Sequence, residues 1–151
     1  MKITTKRLII TPATLEEMKN KRDSEPDAEL RKAYSEMIDS MKALPGQEEW
    51  ASDWFICLDS GAEIGGIGFK GSPDENGNVE IGYGIDEKYR KNGYATEAVN
   101  SVTAWALSQS GVKRVVAQTE PDNAASQRVL FKNGFKPCGT GEEGPLFEKK
   151  L

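Results

Sequence analysis

The stretch from Val79 to Gly134 leaves the chain few folds to choose from. Val79-Glu80-Ile81-Gly82-Tyr83-Gly84-Ile85 alternates with the period of a strand, and a charged, glycine-containing turn, Asp86 to Ala95, follows it. Ala95, Ala98, Val99, Val102 and Ala106 then recur at helical spacing until Gly111. Lys113 to Thr119 is strand-like again, and a short helix capped by Asp122 or Asn123 ends at Gly134. Strand, helix and strand in this order form a crossover unit, whose two strands are parallel and whose connection is right-handed.

The flanks read as an antiparallel frame around that unit. Ile3 to Ile10 is expected as one strand, ended by Thr11-Pro12. Thr14 and Glu17 make a capping box for a helix to about Asp23. Ser24 to Asp27 opens a second helix, with Leu30, Tyr34, Met37, Met41 and Leu44 on one face and Pro45-Gly46 as its stop. Trp54 to Leu58 and Ala62 to Lys70 form a hairpin around Ser60-Gly61, and Pro73 to Asn78 turns back into Val79. Phe135 to Cys138 and Leu146 to Lys150 are closing strands, with Gly139 to Gly144 as a loop. A chain of 151 residues suits one domain, 1–151, with one core. The expected class is α/β (α+β): a mixed central sheet with an antiparallel N-terminal meander, a parallel pair around the crossover unit, and flanking helices.

Composition removes several kinds of chemistry. The chain has no histidine, so Ser-His-Asp and Cys-His catalysis are excluded and a zinc site is not expected. No metal is called for. Cys57 and Cys138 are too few for a disulfide framework, and neither sits in a setting that would activate it as an acyl carrier. A net charge of −4 argues against a nucleic-acid partner. No apolar run approaches the ~20 residues that span a bilayer, and the N-terminus lacks a signal-peptide core, so a cytoplasmic protein without a membrane partner is expected. The charge is uneven: residues 13 to 53 hold eleven acids and six bases.

The turn carries the chemistry. A helix start leaves N–H groups unpaired, and the helix dipole places partial positive charge there. Gly93 and Ala95 let an anion approach the backbone, and Lys88, Arg90 and Lys91 add charge, so a phosphate or pyrophosphate is the natural ligand. Neither Gly-x-x-x-x-Gly-Lys-Ser/Thr nor Gly-x-Gly-x-x-Gly is present, which sets aside a P-loop and a dinucleotide Rossmann site. Arg90-Lys91-Asn92-Gly93-Tyr94-Ala95 instead resembles the Arg/Gln-x-x-Gly-x-Gly/Ala signature by which GNAT acetyltransferases hold the pyrophosphate of acetyl-CoA. Asn123-x-x-Ser126, Val129-Leu130 and Asn133-Gly134-Phe135 resemble the next motif of that family, and Thr5 to Pro12 resembles the first strand of its RimJ/RimL-type members.

The resemblance implies the rest. Backbone N–H groups of Lys91, Asn92, Gly93, Tyr94, Ala95 and Thr96 would bind pyrophosphate, with Arg90 and Lys91 adding charge to it or to the 3′-phosphate. In the family the strand holding Tyr83, Gly84 and Ile85 bulges and parts from its parallel neighbour, and the pantetheine arm pairs with the freed backbone. Asn123 would contact that arm, and Ser126 would lie near the sulfur and help protonate the leaving thiolate. Many members place a tyrosine acid where this chain has Phe131. Glu80 is the candidate general base, against the plainer role of a salt-bridged strand carboxylate, and Glu120 is its rival. Trp50, Trp54 and Tyr34 read as core, or as one wall of an acceptor pocket. The implied reaction is direct transfer from acetyl-CoA, as co-substrate, to a primary amine: a small amine, an amino acid or a protein N-terminus. The other class of function is a non-catalytic CoA-binding regulatory or interaction module. A homodimer is carried as an alternative to the monomer.

Overall fold

A computed structural model describes residues 1–151. Eight strands form one sheet: β1 (Ile3–Thr4), β2 (Leu8–Pro12), β3 (Asp53–Leu58), β4 (Glu63–Phe69), β5 (Asn78–Ile85), β6 (Arg114–Gln118), β7 (Lys136–Thr140) and β8 (Pro145–Lys150). Their order across the sheet is β1-β2-β3-β4-β5-β6-β8-β7, antiparallel except for the β5–β6 pair. Four helices accompany them: α1 (Leu15–Ser24), α2 (Ala28–Lys42), α3 (Tyr94–Leu107) and α4 (Ala124–Lys132). No helix is long and apolar enough to cross a membrane.

The local signals in the sequence act as read. Thr14 and Glu17 close the capping box at the start of α1, and the Asp27 side chain caps α2. α3 is the crossover helix between β5 and β6, and it buries Ala98, Val99, Val102 and Ala106 against the sheet. The main core joins that face to Leu8, Ile10, Trp54, Ile56, Ile67, Val79, Ile81 and Val115. Trp50, Trp54, Phe69 and Trp105 stack with ring centroids 4.9 to 6.0 Å apart, tying the segment before β3 to β3, β4 and α3. A smaller core of Ala13, Met18, Ile38, Met41 and Ala51 fixes α1 and α2 to each other and, through Phe55, to the opposite sheet face.

Three expectations change. Ile3 to Ile10 is not one strand: the chain reverses at Thr5-Lys6-Arg7, and β1 folds back on β2 with Ile3 opposite Ile10. The Thr5 hydroxyl accepts from the Leu8 N–H, and the Glu97 carboxylate gathers Thr5 and Arg7, so local side-chain bonds outcompete a straight ladder. On α2 the apolar face is rotated: Ile38 is buried and Leu30 exposed. β7 runs to Thr140, two residues past Cys138, by pairing with β8.

Candidate active site

β5 and β6 pair only at Asn78–Arg114, Val79–Val115 and Glu80–Val116, and then part. The splay is present, but the bulge is not: β5 keeps unbroken register with β4 from Ile81 to Ile85. The gap arises because β5 stays with β4 while β6 turns to β8. The Glu80 carbonyl accepts from the Lys70 N–H, and the Asp86 N–H donates to the Ile64 carbonyl. Strand alternation then turns the peptide groups of even-numbered residues toward β4 and those of Tyr83 and Ile85 toward the gap. Gly84 therefore turns its N–H toward β4 and leaves a bare α-carbon on the open face.

Beside the gap stands the turn before α3. None of the backbone N–H groups from Lys91 to Thr96 donates to a protein acceptor. Lys91 and Gly93 both have left-handed backbone, φ 66° and 80°, and Lys91 is the one non-glycine residue of the chain with positive φ. For a lysine that conformation costs about 1–2 kcal/mol, strain of a kind that clusters at ligand sites. The Asn92 amide donates to the Tyr89 and Arg90 carbonyls and holds the turn from within. Arg90 braces the end of β5, its Nε donating to the Ile85 carbonyl at 2.8 Å.

Gap and turn open into one cavity of about 600 Å³, lined from β5 by Tyr83, Gly84 and Ile85 and from the turn by Arg90 to Thr96 except Asn92. From α4 come Asn123, Ser126, Arg128 and Lys132, so the lining holds four bases and no acid. The Asn123 side chain caps α4 by accepting from the Ser126 N–H. The Tyr83 hydroxyl lies 2.8 Å from Ser126 Oγ and bridges the splay. Burial pushes the Tyr83 phenol above its ordinary value of 10 despite the Ser126 bond, so it stays protonated at neutral pH.

A second cavity, a trough of about 1040 Å³, occupies the other face of β4 and β5. The two cavities share Tyr83, Gly84, Ile85 and Arg90 and meet there. Gly66 lies opposite Gly84 and Gly68 opposite Gly82, so four glycines make a floor of bare backbone. At Gly66 and Gly68 an added Cβ would strike Asp53 or Ser52 within 3 Å, whereas at Gly82 and Gly84 it would meet open space. Neither packing nor backbone conformation requires glycine at Gly82 and Gly84. On one wall Lys21 bonds Asp53 at 3.0 Å, lies 3.7 Å from Glu63 and sits over the Phe55 ring. Those carboxylates outweigh burial and raise the Lys21 ammonium above its ordinary value of 10.5. Six acids line the trough against three bases.

Glu80 shares the face of Gly82 and Gly84, at the far end of the floor. Lys70 binds its carboxylate at 2.7 Å and Gln118 donates to it, in a polar recess adjoining the trough. Glu120 is exposed at the end of β6 and lines neither cavity. Phe131 is also outside both: it is half exposed and packs edge-on against Phe147. A phenol does reach the basic cavity from β5, as Tyr83. Tyr34 lines the trough, while Trp50 and Trp54 belong to the core. Sequence reasoning missed Arg7, Lys21, Arg128 and Lys132. The helical spacing of Arg128 and Lys132 was a signal for that pair, since residues four apart share a helix face.

An open sheet with a splayed parallel pair beside a helix start of free N–H groups defines a protein of the GNAT architecture. Residues 7–136 match the Acetyltransferase (GNAT) domain family, and the chain belongs to that family. It is 46% identical over 83 residues to the Bacillus subtilis (strain 168) protein called uncharacterized N-acetyltransferase YjdG, covering 54% of this chain and 49% of the relative. To YoaA of the same organism, also called an uncharacterized N-acetyltransferase, it is 36% identical over 104 residues, 68% of this chain and 58% of the relative. The chain thus spans about half the length of these relatives. It shares its fold, at a TM-score of 0.78 and 14% identity, with RimL, an α-N-protein acetyltransferase solved in complex with coenzyme A, over 100% of this chain and 98% of that one.

Proposed function

We propose that this protein is an N-acetyltransferase that moves the acetyl group of acetyl-CoA directly to a primary amine within a ternary complex. The observation that carries the proposal is the row of free N–H groups from Lys91 to Thr96, facing a basic cavity that meets an acidic trough at Tyr83 to Ile85. Pyrophosphate would bind the row, with Lys91, Arg128 and Lys132 adding charge. The pantetheine arm would enter the gap, pair with the peptide groups of Tyr83 and Ile85, and meet Asn123. The thioester would then lie where the cavities meet.

An alkyl ammonium, with a pKa of about 10.4 in water, must lose a proton before it attacks. Glu80 is proposed to take that proton through water along the glycine floor. The free amine forms a bond to the thioester carbonyl carbon, and the Ile85 N–H is aimed to stabilise the oxygen as it gains charge. The C–S bond then breaks, the Tyr83–Ser126 hydroxyl pair supplies a proton to the thiolate, and the second proton of the attacking nitrogen returns through water to restore that pair. The chain's main contribution is to hold two substrates in line. A CoA-binding module without catalysis would have no use for a trough opening onto the thioester position. Two free cysteines accord with the cytoplasm as the working compartment.

The acceptor is proposed to be a cationic amine, either a small molecule or a peptide N-terminus, RimL being by its name an α-N-protein enzyme. The acidic lining raises the local concentration of cations, and salt screens it beyond about 8 Å at physiological ionic strength. Release of free thiol from acetyl-CoA, followed across cationic, neutral and anionic amines at two salt concentrations, tests both the reaction and the acceptor. Cationic amines should accelerate release most, with an acceptor KM that rises with salt. No amine-dependent release would leave only CoA binding, and preference for an anionic amine would reverse the acceptor assignment.

A further inference from the structure

The row of free N–H groups depends on a residue outside the turn. Arg7 lies in the reversal between β1 and β2, and every protein partner of its side chain flanks Gly93. Its Nε donates to Glu97 Oε1 at 2.7 Å, its Nη1 donates to the Asn92 carbonyl at 2.9 Å, and its guanidinium lies 4.4 Å from the centre of the Tyr94 ring. Its backbone N–H donates to the second Glu97 oxygen, which also accepts from the Thr5 hydroxyl.

Peptide planarity turns these contacts into a consequence. Across a trans peptide the C=O of Asn92 and the N–H of Gly93 point in opposite directions. By pulling the Asn92 carbonyl to its own side, Arg7 aims the Gly93 N–H to the other. The same grip holds Tyr94 and Glu97 in the first turn of α3, so the N–H groups that follow Gly93 keep their orientation. The left-handed conformation at Lys91 persists only when its surroundings over-determine it, and Arg7 contributes to that by holding the neighbouring Asn92 carbonyl from a chain reversal more than eighty residues earlier. Its charge is matched by Glu97 at contact distance, so it acts by geometry rather than by attraction of the anion.

We infer that Arg7 is a positioning residue for the phosphates of acetyl-CoA, setting the pyrophosphate turn through Asn92, Tyr94 and Glu97. The inference rests on the proposal that the turn binds pyrophosphate. It also means that the fork of the guanidinium is needed and its charge is not enough, because a lysine ammonium cannot hold Glu97 and the Asn92 carbonyl in fixed planar directions.

The test compares Arg7→Ala and Arg7→Lys with the unaltered protein, using acetyl-CoA and S-acetyl-pantetheine, which has the thioester but no phosphates. Both variants should raise the KM for acetyl-CoA by about tenfold or more. Their kcat should stay within about twofold, and their kcat/KM with S-acetyl-pantetheine should match that of the unaltered protein. Full activity of Arg7→Lys, an unchanged KM for acetyl-CoA, or equal losses with both donors would overturn the positioning role. An unaltered protein that uses both donors equally well would instead remove the pyrophosphate assignment itself, a separable failure.

Discussion

Tyr83 places an aromatic hydroxyl in the basic cavity of a chain whose α4 offers only Phe131. The proton-transfer roles proposed for Tyr83 and Glu80 separate in a pH–rate profile. Tyr83→Phe should lower kcat roughly tenfold or more across neutral pH, the lower end of what a positioned acid contributes. Because burial raises the phenol above 10, the unaltered protein should keep this contribution up to that pH and lose it only as pH rises through the elevated value. Glu80→Gln should cost about tenfold at neutral pH and recover toward alkaline pH, where the amine is already neutral. A flat, unchanged profile for Glu80→Gln would give the proton to water. What was legible at this scale was local. Arg90 to Thr96 announced itself because its signature lies within one turn, and Asn123 and Ser126 because the cap and the N–H that donates to it are three residues apart. Arg7 was silent, since its partners Asn92 and Glu97 lie 85 and 90 residues away. Tyr83 was expected through its backbone alone, because strand periodicity says which face a side chain takes but not which helix end it touches.

Among the elements, the β4–β5 pair does the most to shape the trough proposed for the acceptor. Two cross-strand glycine pairs give the trough its floor, and only those on β5 are free of packing demands. Gly82→Val should therefore fold, its side chain standing in open space, and should raise the acceptor KM several-fold while leaving acetyl-CoA affinity unchanged, because Gly82 lines the trough and not the cofactor cavity. Equal damage to both substrates would mean the valine disturbs β5 itself. The elements were largely readable, since α1, α2 and α4 carried side-chain caps, α3 its apolar periodicity and the β3–β4 hairpin its turn residues. Ile3 to Ile10 was not. Its β-branched run favours extension everywhere, and the reversal at Thr5-Lys6-Arg7 is held by Glu97, about ninety residues away on a helix whose contacts no local reading reveals. The expected bulge in β5 is likewise absent, because the gap is made by where β6 goes rather than by an extra residue in β5.

At the scale of the molecule the two cavities divide the charge. The cavity proposed for the cofactor carries Arg90, Lys91, Arg128 and Lys132 with no acid, and the trough proposed for the acceptor carries six acids. The acid-rich residues 13 to 53 supply three of these six, Glu25, Glu36 and Asp53. The rest of the trough's lining comes from β4, β5 and the start of the turn, and no single segment could reveal a cavity built from several. A divided cleft needs its anion at the α3 N-terminus, and Gly93 is the point where that claim is most exposed. Its φ of 80° strains any side chain, and an aspartate there would set a negative charge where the pyrophosphate belongs. The direct measurement is calorimetric titration of acetyl-CoA into the unaltered protein, Gly93→Ala and Gly93→Asp, with circular dichroism to confirm the fold. The unaltered protein should bind with a Kd of roughly micromolar order, Gly93→Ala should lose part of that affinity through strain, and Gly93→Asp should lose about 100-fold or more. A natively folded Gly93→Asp that binds acetyl-CoA as tightly as the unaltered protein would place the cofactor's phosphates elsewhere and contradict the site described.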